Sequence, residues 1–401
     1  MSLGEYVVRV VGVDPGTKSF DVVCIEDGKV VYEKSLETAE VAKNPAILIE
    51  AIDAAAPDYV VGPSGYGVPI TFGDEVRDAR RFAVEVLLLS TEKDIEEGVK
   101  AGELGIWVYD ALAKVVEHIV KSYGGKAIFI PSITLLPTIP VHRKINKVDM
   151  GTADKLAATF IAVYTLAQER GIPYNNVNAL VVELGYGYNA VIAVKEGRIV
   201  DAVGGTIAST GTLTGGALDL EIAAHVSSWS RWDVFYGGIF HIGRTYDLNV
   251  FARAYEKSEE PLASLFLAYI EGVVKDIYRM LAVEKKVDTI VLTGRHSKIP
   301  LVQKLLREYI PDAEIIPSKQ LRGASTSKEA GQGYAAIGEG AVGGIFNELV
   351  RHMGIDRACG TVVDYVYHPR AEEFRRRVVR SYVETVARPR LCRESLAIQN
   401  T

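Results

Sequence analysis

Residues 11–18 read Val-Gly-Val-Asp-Pro-Gly-Thr-Lys, and residues 181–189 read Val-Val-Glu-Leu-Gly-Tyr-Gly-Tyr-Asn. In both stretches an apolar strand ends in an acidic residue, Asp14 or Glu183, and a glycine-containing turn follows. A second strand, an acidic residue followed by glycine, and a third strand come next in each case. This order predicts two antiparallel meanders, each opened by an acid–glycine turn.

The distance between the two copies is too long for a solenoid repeat and fits two duplicated domains. At 401 residues the chain also exceeds what one hydrophobic core usually serves. We therefore predict an α/β protein in which two mixed sheets, each flanked by helices, come from one duplicated unit. The predicted segments are 1–150, 151–342 and a C-terminal helical extension, 343–401, that packs back on the two lobes.

Bulk composition excludes several kinds of partner. A net charge of −6 argues against nucleic acid and anionic membranes, which attract basic surfaces. No apolar run is long enough for a membrane span, and the N-terminus lacks the pattern of a signal peptide. Three cysteines, far apart and without metal-ligand spacing, predict a reduced compartment with neither disulfides nor an iron–sulfur cluster. We expect a cytoplasmic protein.

The two acid–glycine turns suit phosphate chemistry. Glycine lets the backbone approach a phosphate closely, and an acid at a strand end suits Mg²⁺, which prefers oxygen ligands. Asp14 and Glu183 are therefore the candidate metal ligands. The candidate phosphate-binding residues are Gly16, Thr17, Lys18, Gly185, Tyr186 and Gly187. Each turn alone is also typical of an ordinary hairpin, so the pair carries the argument.

Three further stretches add candidates. Residues 289–300 form a strand, a glycine turn and a helix start that suit the nucleoside side of a nucleotide, although many βα junctions look alike. The basic stretch 140–155 begins a helix between the lobes and predicts that Arg143, Asp149 and Lys155 reach the cleft. Loops rich in Gly and Thr at 204–206 and 211–219 either border the phosphates or connect surface elements. The candidate binding residues here are Gly205, Thr206, Gly215, Gly216, Gly294, Arg295 and Ser297.

These motifs together resemble those of the actin, hexokinase and acetate kinase superfamily. Asp14-x-Gly16-Thr17 resembles its first phosphate loop, residues 183–187 its second, residues 291–300 its adenosine motif and residues 330–336 its connecting helix. Their order and spacing match over roughly residues 6–342. The stretches VDMGTADKLAATF, VVELGYGYNAV and GGTIASTGTLTGGALD also resemble an archaeal family described as predicted butyrate kinases.

The chain departs from the superfamily pattern at identifiable positions. Glu183 replaces an aspartate, Tyr186 replaces a glycine, and Arg295 stands where a second glycine is usual. The Arg-x-x-x-Phe-His pattern of acetate and butyrate kinases is not evident in the sequence. These differences bear on nucleotide affinity and on the identity of the acceptor.

The resemblance implies two ribonuclease-H-like domains of five strands each around a nucleotide cleft that binds ATP and Mg²⁺. It also implies phosphoryl transfer to a small molecule, with a short-chain carboxylate as the favoured acceptor. Lys18 or Arg143 would then offset charge on the transferring group. A sugar or polyol acceptor would need a general base, for which Asp149 is the candidate. A nucleotide-switched ATPase or binding protein is the alternative class, and a homodimer is left open.

Overall fold

The computed structural model describes residues 8–392, so the outer ends of the first and last predicted segments, 1–7 and 393–401, lie outside the described residues. The strands are β1 (Arg9–Pro15), β2 (Ser19–Glu26), β3 (Lys29–Glu37), β4 (Tyr59–Val61), β5 (Thr71–Phe72), β6 (Ala127–Phe129), β7 (Ala179–Leu184), β8 (Asn189–Lys195), β9 (Arg198–Gly204), β10 (Thr289–Thr293) and β11 (Glu314–Pro317). The helices are α1 (Thr38–Lys43), α2 (Ala46–Ala54), α3 (Ala79–Arg81), α4 (Glu92–Ala101), α5 (Leu104–Tyr123), α6 (Val141–Lys144), α7 (Ala153–Arg170), α8 (Leu220–His225), α9 (Ile239–Gly243), α10 (Leu248–Glu256), α11 (Leu262–Leu281), α12 (Pro300–Tyr309), α13 (Glu329–Ala341), α14 (Asn347–His352) and α15 (Glu372–Thr385).

Two mixed sheets organise the described chain, and they repeat one strand pattern. The first has the order β3-β2-β1-β4-β6-β5, and the second has the order β11-β10-β7-β8-β9. In each sheet the three strands that come first along the chain, β1–β3 or β7–β9, form an antiparallel meander. The first strand of each meander also pairs parallel with a later strand, β1 with β4 and β7 with β10. The predicted α/β fold with two duplicated domains is confirmed. The first sheet has six strands rather than the expected five, because β5 adds antiparallel to β6.

Both meanders turn from their second strand to their third through the same backbone conformation. Asp27 and Gly28 have φ of 48° and 68°, and Glu196 and Gly197 have φ of 50° and 69°. Positive φ at both central residues defines a type I′ turn, whose twist matches that of adjacent antiparallel strands. A register shift also occurs within the second strand of each meander. The duplication therefore extends to local backbone detail.

Helices α7 and α13 fill the space between the two sheets and cross at very short distance. A Cβ on Gly333 would lie 2.0 Å from the carbonyl oxygen of Ala157, and a Cβ on Gly12 would lie 2.4 Å from the backbone nitrogen of Ala335. Glycine at these positions permits the close backbone approach. The predicted small-residue connecting helix, 330–336, lies within α13.

The outer faces of the sheets are covered by other helices. Helices α2 and α5 pack on the first sheet, and helices α10, α11 and α12 pack on the second. We call each sheet with its outer helices a lobe. Among the described residues, no helix combines the length and the apolar composition needed to cross a membrane.

The C-terminal segment returns to the first lobe. Arg377 of α15 donates a hydrogen bond to the carbonyl oxygen of Ser90 (2.6 Å). Cys359 and Cys392 form a disulfide, with their Cα atoms 5.1 Å apart. The expectation that no disulfide forms is therefore wrong: spacing along the chain suggested separation, but the chain beyond α15 folds back toward Cys359. The proposed boundaries at 150 and 342 stay predictions.

Candidate active site

The two acid–glycine turns face each other across one cleft. The first lies between β1 and β2, and the second lies between β7 and β8. A Cβ on Gly187 of the second turn would lie 3.2 Å from Cγ2 of Thr17 in the first. The Nζ of Lys18 lies 6.0 Å from the ring centroid of Tyr186. The fold thus places side by side two turns that are distant in the sequence.

A cavity of about 570 Å³ opens between the turns, with walls from both lobes. Most of the residues that the sequence singled out lie in these walls. They are Asp14, Gly16, Thr17, Lys18, Asp149, Glu183, Gly185, Tyr186, Gly187, Gly205, Gly294 and Arg295. Their placement is compatible with the predicted roles, which stay predictions.

Arg143 does not line this cavity. Its Nη1 donates a hydrogen bond to the carbonyl oxygen of Val200 (2.7 Å), and its Nε lies 3.7 Å from Oδ2 of Asp201. Both partners belong to β9. The short helix α6 directs the guanidinium toward this strand, where Asp201 balances its charge. The prediction that Arg143 reaches the cleft is therefore wrong, and we assign it no part in offsetting the charge of a transferring group.

Four other candidates also lie outside the cavity walls: Thr206, Gly215, Gly216 and Ser297. The hydroxyl of Ser297 donates a hydrogen bond to the carbonyl oxygen of Gly294 (2.7 Å), so Ser297 stabilises that turn. Gly216 has φ of 77°, and a Cβ there would lie 2.4 Å from the carbonyl oxygen of Ala208. Its conformation therefore requires glycine for local structure. Ser297 and Gly216 therefore support local structure, and the predicted phosphate contacts of Thr206 and Gly215 stay predictions.

Asp14 is buried at the end of β1, and only one of its two oxygens is paired. Its Oδ2 lies 2.6 Å from Nζ of Lys328, which also donates to the carbonyl oxygen of Ser19 (2.9 Å). Its Oδ1 is buried and has no hydrogen-bond partner within residues 8–392. Burial raises the pKa of Asp14 to about 6, against the opposing charge of Lys328. A buried oxygen without a partner is suited to a ligand or an ion.

Glu183 is held by Lys155, which lies in the first turn of α7, between the two sheets. Its Oε2 lies 2.7 Å from Nζ of Lys155, which also lies 3.0 Å from Oδ2 of Asp154. Burial raises the pKa of Glu183, although Lys155 opposes that effect. Burial would also raise the pKa of Asp154, but the charge of Lys155 and a hydrogen bond from Thr152 lower it below its usual value. Lys155 therefore pairs with two carboxylates at once, the buried Glu183 and the partly buried Asp154.

Asp149 precedes α7 at the junction of the lobes and is also buried. The backbone N–H groups of Gly151 and Thr206 donate hydrogen bonds to its carboxylate. Gly205 has φ of 53°, and a Cβ there would lie 1.7 Å from Oδ2 of Asp149, so any other residue would displace the carboxylate. Burial raises the pKa of Asp149. A fixed carboxylate with a raised pKa in a cavity wall has the properties of a general base.

Sequence reasoning missed several residues of this site. Lys328, which directly precedes α13, pairs with Asp14 across more than three hundred positions of the chain, and no local pattern marks it. Its one sequence signal is a lysine at the start of a helix, as Lys155 is in α7. Tyr66, Tyr109 and Phe235 form an aromatic wall of the cavity from three separate segments. Such a wall exists only after the lobes pack together.

The cavity walls fit a polyphosphate whose Mg²⁺ ion takes only one or two ligands from the protein. Within the described chain, no three His, Cys, Asp or Glu side chains are grouped to hold a metal ion. Mg²⁺ commonly keeps several waters and binds through one or two carboxylates together with phosphate oxygens. The unpaired Oδ1 of Asp14 fits that role, whereas Glu183 already pairs with Lys155. Asp14 is therefore the better of the two candidate ligands.

A second cavity, of about 440 Å³, adjoins the first and shares Lys18, Tyr186, Tyr246 and Arg295 with it. Near it, Gly294 has φ of 87°, and a Cβ there would lie 2.5 Å from the carbonyl oxygen of Leu184. The third glycine turn thus packs directly on the second. Aromatic faces beside a glycine turn suit a planar base.

The fold and the cleft define the class of protein. The chain has the fold of the actin, hexokinase and acetate kinase superfamily. It is similar to the crystal structure of Porphyromonas gingivalis acetate kinase, with a TM-score of 0.51, 14% identity, and coverage of 81% of this chain and 98% of that chain. It is also similar to that of Entamoeba histolytica acetate kinase, with a TM-score of 0.50, 13% identity, and coverage of 78% and 96%. At such identities the likeness shows the fold alone.

The chain belongs to the family DUF1464, described as a protein of unknown function, whose model matches residues 12–368. That range includes the second sheet, the first sheet except for the opening residues of β1, and the cleft between them. No curated protein gives a significant sequence match. The predicted superfamily fold is confirmed, and the finer resemblance to predicted butyrate kinases stays a prediction.

Proposed function

We propose that the protein is an ATP-dependent kinase that phosphorylates a small carboxylic acid, giving an acyl phosphate. The supporting observation is that the two acid–glycine turns, with Asp14 and Glu183, meet in the wall of one cleft. Phosphoryl transfer depends mainly on positioning and on neutralising charge. The cleft offers closely packed backbone turns for the first requirement, and Lys155 and Lys328 for the second.

We assign the residues of the cleft distinct roles in holding the metal ion and in neutralising charge. When bound, Mg-ATP would supply the phosphoryl group and an ion that neutralises part of its charge. Asp14 would hold the ion through its unpaired Oδ1, while Lys328 keeps the carboxylate in place. Lys155 fixes Glu183 in the opposite turn, and Lys18 adds a positive charge at the wall.

The acceptor is proposed from the apolar residues of the cavity wall. Leu87, Leu88, Val108 and Leu112 line it. Burial of a hydrocarbon chain against such side chains is favourable. A carboxylate acceptor is already ionised at pH 7, so transfer to it requires no strong general base. A short-chain fatty acid combines both properties.

A hydroxyl acceptor is the second candidate, and Asp149 favours it. This carboxylate lies in the cavity wall, is fixed by backbone hydrogen bonds, and has a raised pKa. A sugar or polyol would need such a base to accept its proton. The two candidates differ in whether Asp149 is required for turnover.

The test is an acceptor panel with ATP and Mg²⁺. We expect hydroxylamine to trap an acyl phosphate from short-chain acids such as butyrate, and EDTA to abolish the product. The midpoint temperature of thermal unfolding should rise when nucleotide is added, because a ligand that binds only the folded state stabilises that state.

Two results would contradict the carboxylate assignment. The first is phosphorylation of a polyol but of no acid, with Asp149→Asn inactive and still able to bind ATP. The second is an absence of turnover with every acceptor together with an unfolding midpoint that nucleotide does not change, which would reject the kinase proposal itself.

A further inference from the structure

A segment of the second lobe, residues 226–238, crosses to the first lobe beside the apolar end of the cavity. We call it the bridging segment. Within it, Nη2 of Arg231 donates hydrogen bonds to the carbonyl oxygen of Leu88 (3.0 Å) and to the hydroxyl oxygen of Tyr109 (2.9 Å). The ring of Phe235 packs edge-on against the ring of Tyr109, with centroids 5.6 Å apart. The bridging segment therefore completes the wall that the first lobe begins.

Arg231 makes no ion pair with a carboxylate in the part of the chain that the structure describes. Its guanidinium carbon lies 5.2 Å from the ring centroid of Tyr109 and 5.9 Å from that of Tyr66. Its Nε is buried without a hydrogen-bond partner, and within residues 8–392 no Asp or Glu oxygen lies at ion-pair distance from it. A cation withdrawn from water is costly unless an anion or aromatic faces compensate for the loss of hydration. The faces of the two tyrosines compensate for part of this loss, and a bound anion would compensate for the rest.

The tyrosine hydroxyls extend this positive site into the cavity. Tyr66 and Tyr109 line the cavity, whereas Arg231 lies directly behind them. Because the oxygen of Tyr109 accepts a hydrogen bond from Arg231, its own proton is available to donate toward a ligand. Burial raises the pKa of both hydroxyls above the usual value, so both keep their protons at neutral pH. Two donors backed by a cation thus stand beside an apolar pocket.

We propose that Arg231, Tyr66 and Tyr109 form the binding site for the carboxylate group of a small organic acid, whose hydrocarbon chain packs against Leu87, Val108 and Leu112. The inference rests on the proposed function only in treating this acid as the phosphoryl acceptor. Arg231, which belongs to the bridging segment, supplies the positive charge that was expected from Arg143, and the first lobe supplies Tyr66 and Tyr109. A charge-assisted hydrogen bond from each hydroxyl to the carboxylate accounts for selectivity over neutral analogues.

The experiment measures binding separately from catalysis. Butyrate and its uncharged analogue butyramide are titrated calorimetrically into the protein, into Tyr109→Phe and into Arg231→Gln. We expect the wild type to bind butyrate but not butyramide. Loss of one hydrogen bond to a charged group should raise the butyrate Kd about tenfold in Tyr109→Phe. Arg231→Gln should remove detectable binding.

Matched controls are Tyr278→Phe, an exposed hydroxyl on α11, and Arg376→Gln, an exposed arginine of α15. Both should bind butyrate as the wild type does. If Arg231→Gln fails to fold, Tyr66→Phe and Tyr109→Phe still test the site, because each removes a single oxygen, and unchanged ADP binding checks their fold.

The outcomes separate this inference from the proposed function. Butyrate binding that depends on the two tyrosines, without phosphoryl transfer, would support the site and reject the kinase. Transfer to butyrate with an unchanged KM in Tyr66→Phe and Tyr109→Phe would support the kinase and overturn the site. Equal binding of butyrate and butyramide would also overturn it.

Discussion

The two acid–glycine turns occupy equivalent positions, each between the first two strands of a meander, but their carboxylates have different partners. Asp14 pairs with Lys328 through one oxygen and leaves the other without a partner. Glu183 pairs with Lys155, which it shares with Asp154. The first turn thus keeps a buried oxygen without a partner, whereas the buried Oε2 of the second is ion-paired with Lys155. Duplication supplied two similar turns, and their surroundings made them chemically unequal.

The lysines themselves follow a reciprocal arrangement. Lys155 lies in the first turn of α7, which follows the first sheet, and it pairs with an acid of the second sheet. Lys328 precedes α13, which follows the second sheet, and it pairs with an acid of the first. Each sheet is therefore followed along the chain by a helix that brings a lysine to an acid of the other sheet. Because α7 and α13 pack on each other, the two pairs lie in one cleft.

The largest effect should come from removing Lys155. Lys155→Met would leave Glu183 and Asp154 buried without a cation, and loss of one partner of a buried pair costs about 3–5 kcal/mol of unfolding free energy. Lys328→Met should cost less, since the Lys328 side chain is 25% exposed and that of Lys155 only 9%. Denaturant unfolding of both variants measures the difference. Equal losses would show that the two pairs are equivalent after all.

The next effect concerns turnover. Asp14→Asn should lower kcat by roughly 100-fold or more, the scale on which one preorganised electrostatic contact acts. Glu183→Gln should cost less, because the buried Oε2 of Glu183 is already ion-paired with Lys155, whereas the buried Oδ1 of Asp14 has no partner within the described residues. Steady-state kinetics with ATP and the best acceptor measure both. A greater loss in Glu183→Gln than in Asp14→Asn would reverse our assignment of the metal ligand.

The smallest effect is a pH dependence of stability that Asp14 contributes. The pKa of the Asp14 carboxyl is about 6 in the folded protein and 3.8 ordinarily, so the folded state binds the carboxyl proton more tightly than the unfolded state does. The contribution of Asp14 therefore favours folding below pH 3.8 and is lost as pH rises through about 6. We expect the stability of Asp14→Asn, relative to the wild type, to increase over this window. Unfolding curves at pH 4, 5, 6 and 7 measure it, and a flat difference would contradict the raised pKa.

The fold was largely predictable because it follows from local patterns. Apolar strands ending in Asp14 and Glu183, acidic-Gly hairpin turns and a small-residue helix are each encoded within a few neighbouring positions. Their repetition in one order specified two similar sheets with a cleft between them. The sixth strand, β5, escaped notice because two residues are too few to show a periodicity.

The charges of the site were less predictable because their partners are remote in sequence. Arg143 belongs to a basic stretch next to Asp149, yet its side chain contacts β9 outside the cleft. Arg231 belongs to a stretch without a recognisable motif, yet it lies behind the cavity wall. The direction in which a long side chain points depends on the packing of neighbouring elements, which a local pattern does not contain.

By itself, then, the sequence determined the duplicated α/β fold and the two acid–glycine turns, since strand periodicity and turn chemistry act over a few residues. The tertiary structure alone decided which lysine neutralises which acid, which arginine lies near the cavity, and that Cys359 meets Cys392. Each of these depends on how α7, α13 and the bridging segment pack between the lobes. Burial then sets the energetic cost of leaving a charge without a partner, and so decides which carboxylate has an oxygen available for a ligand.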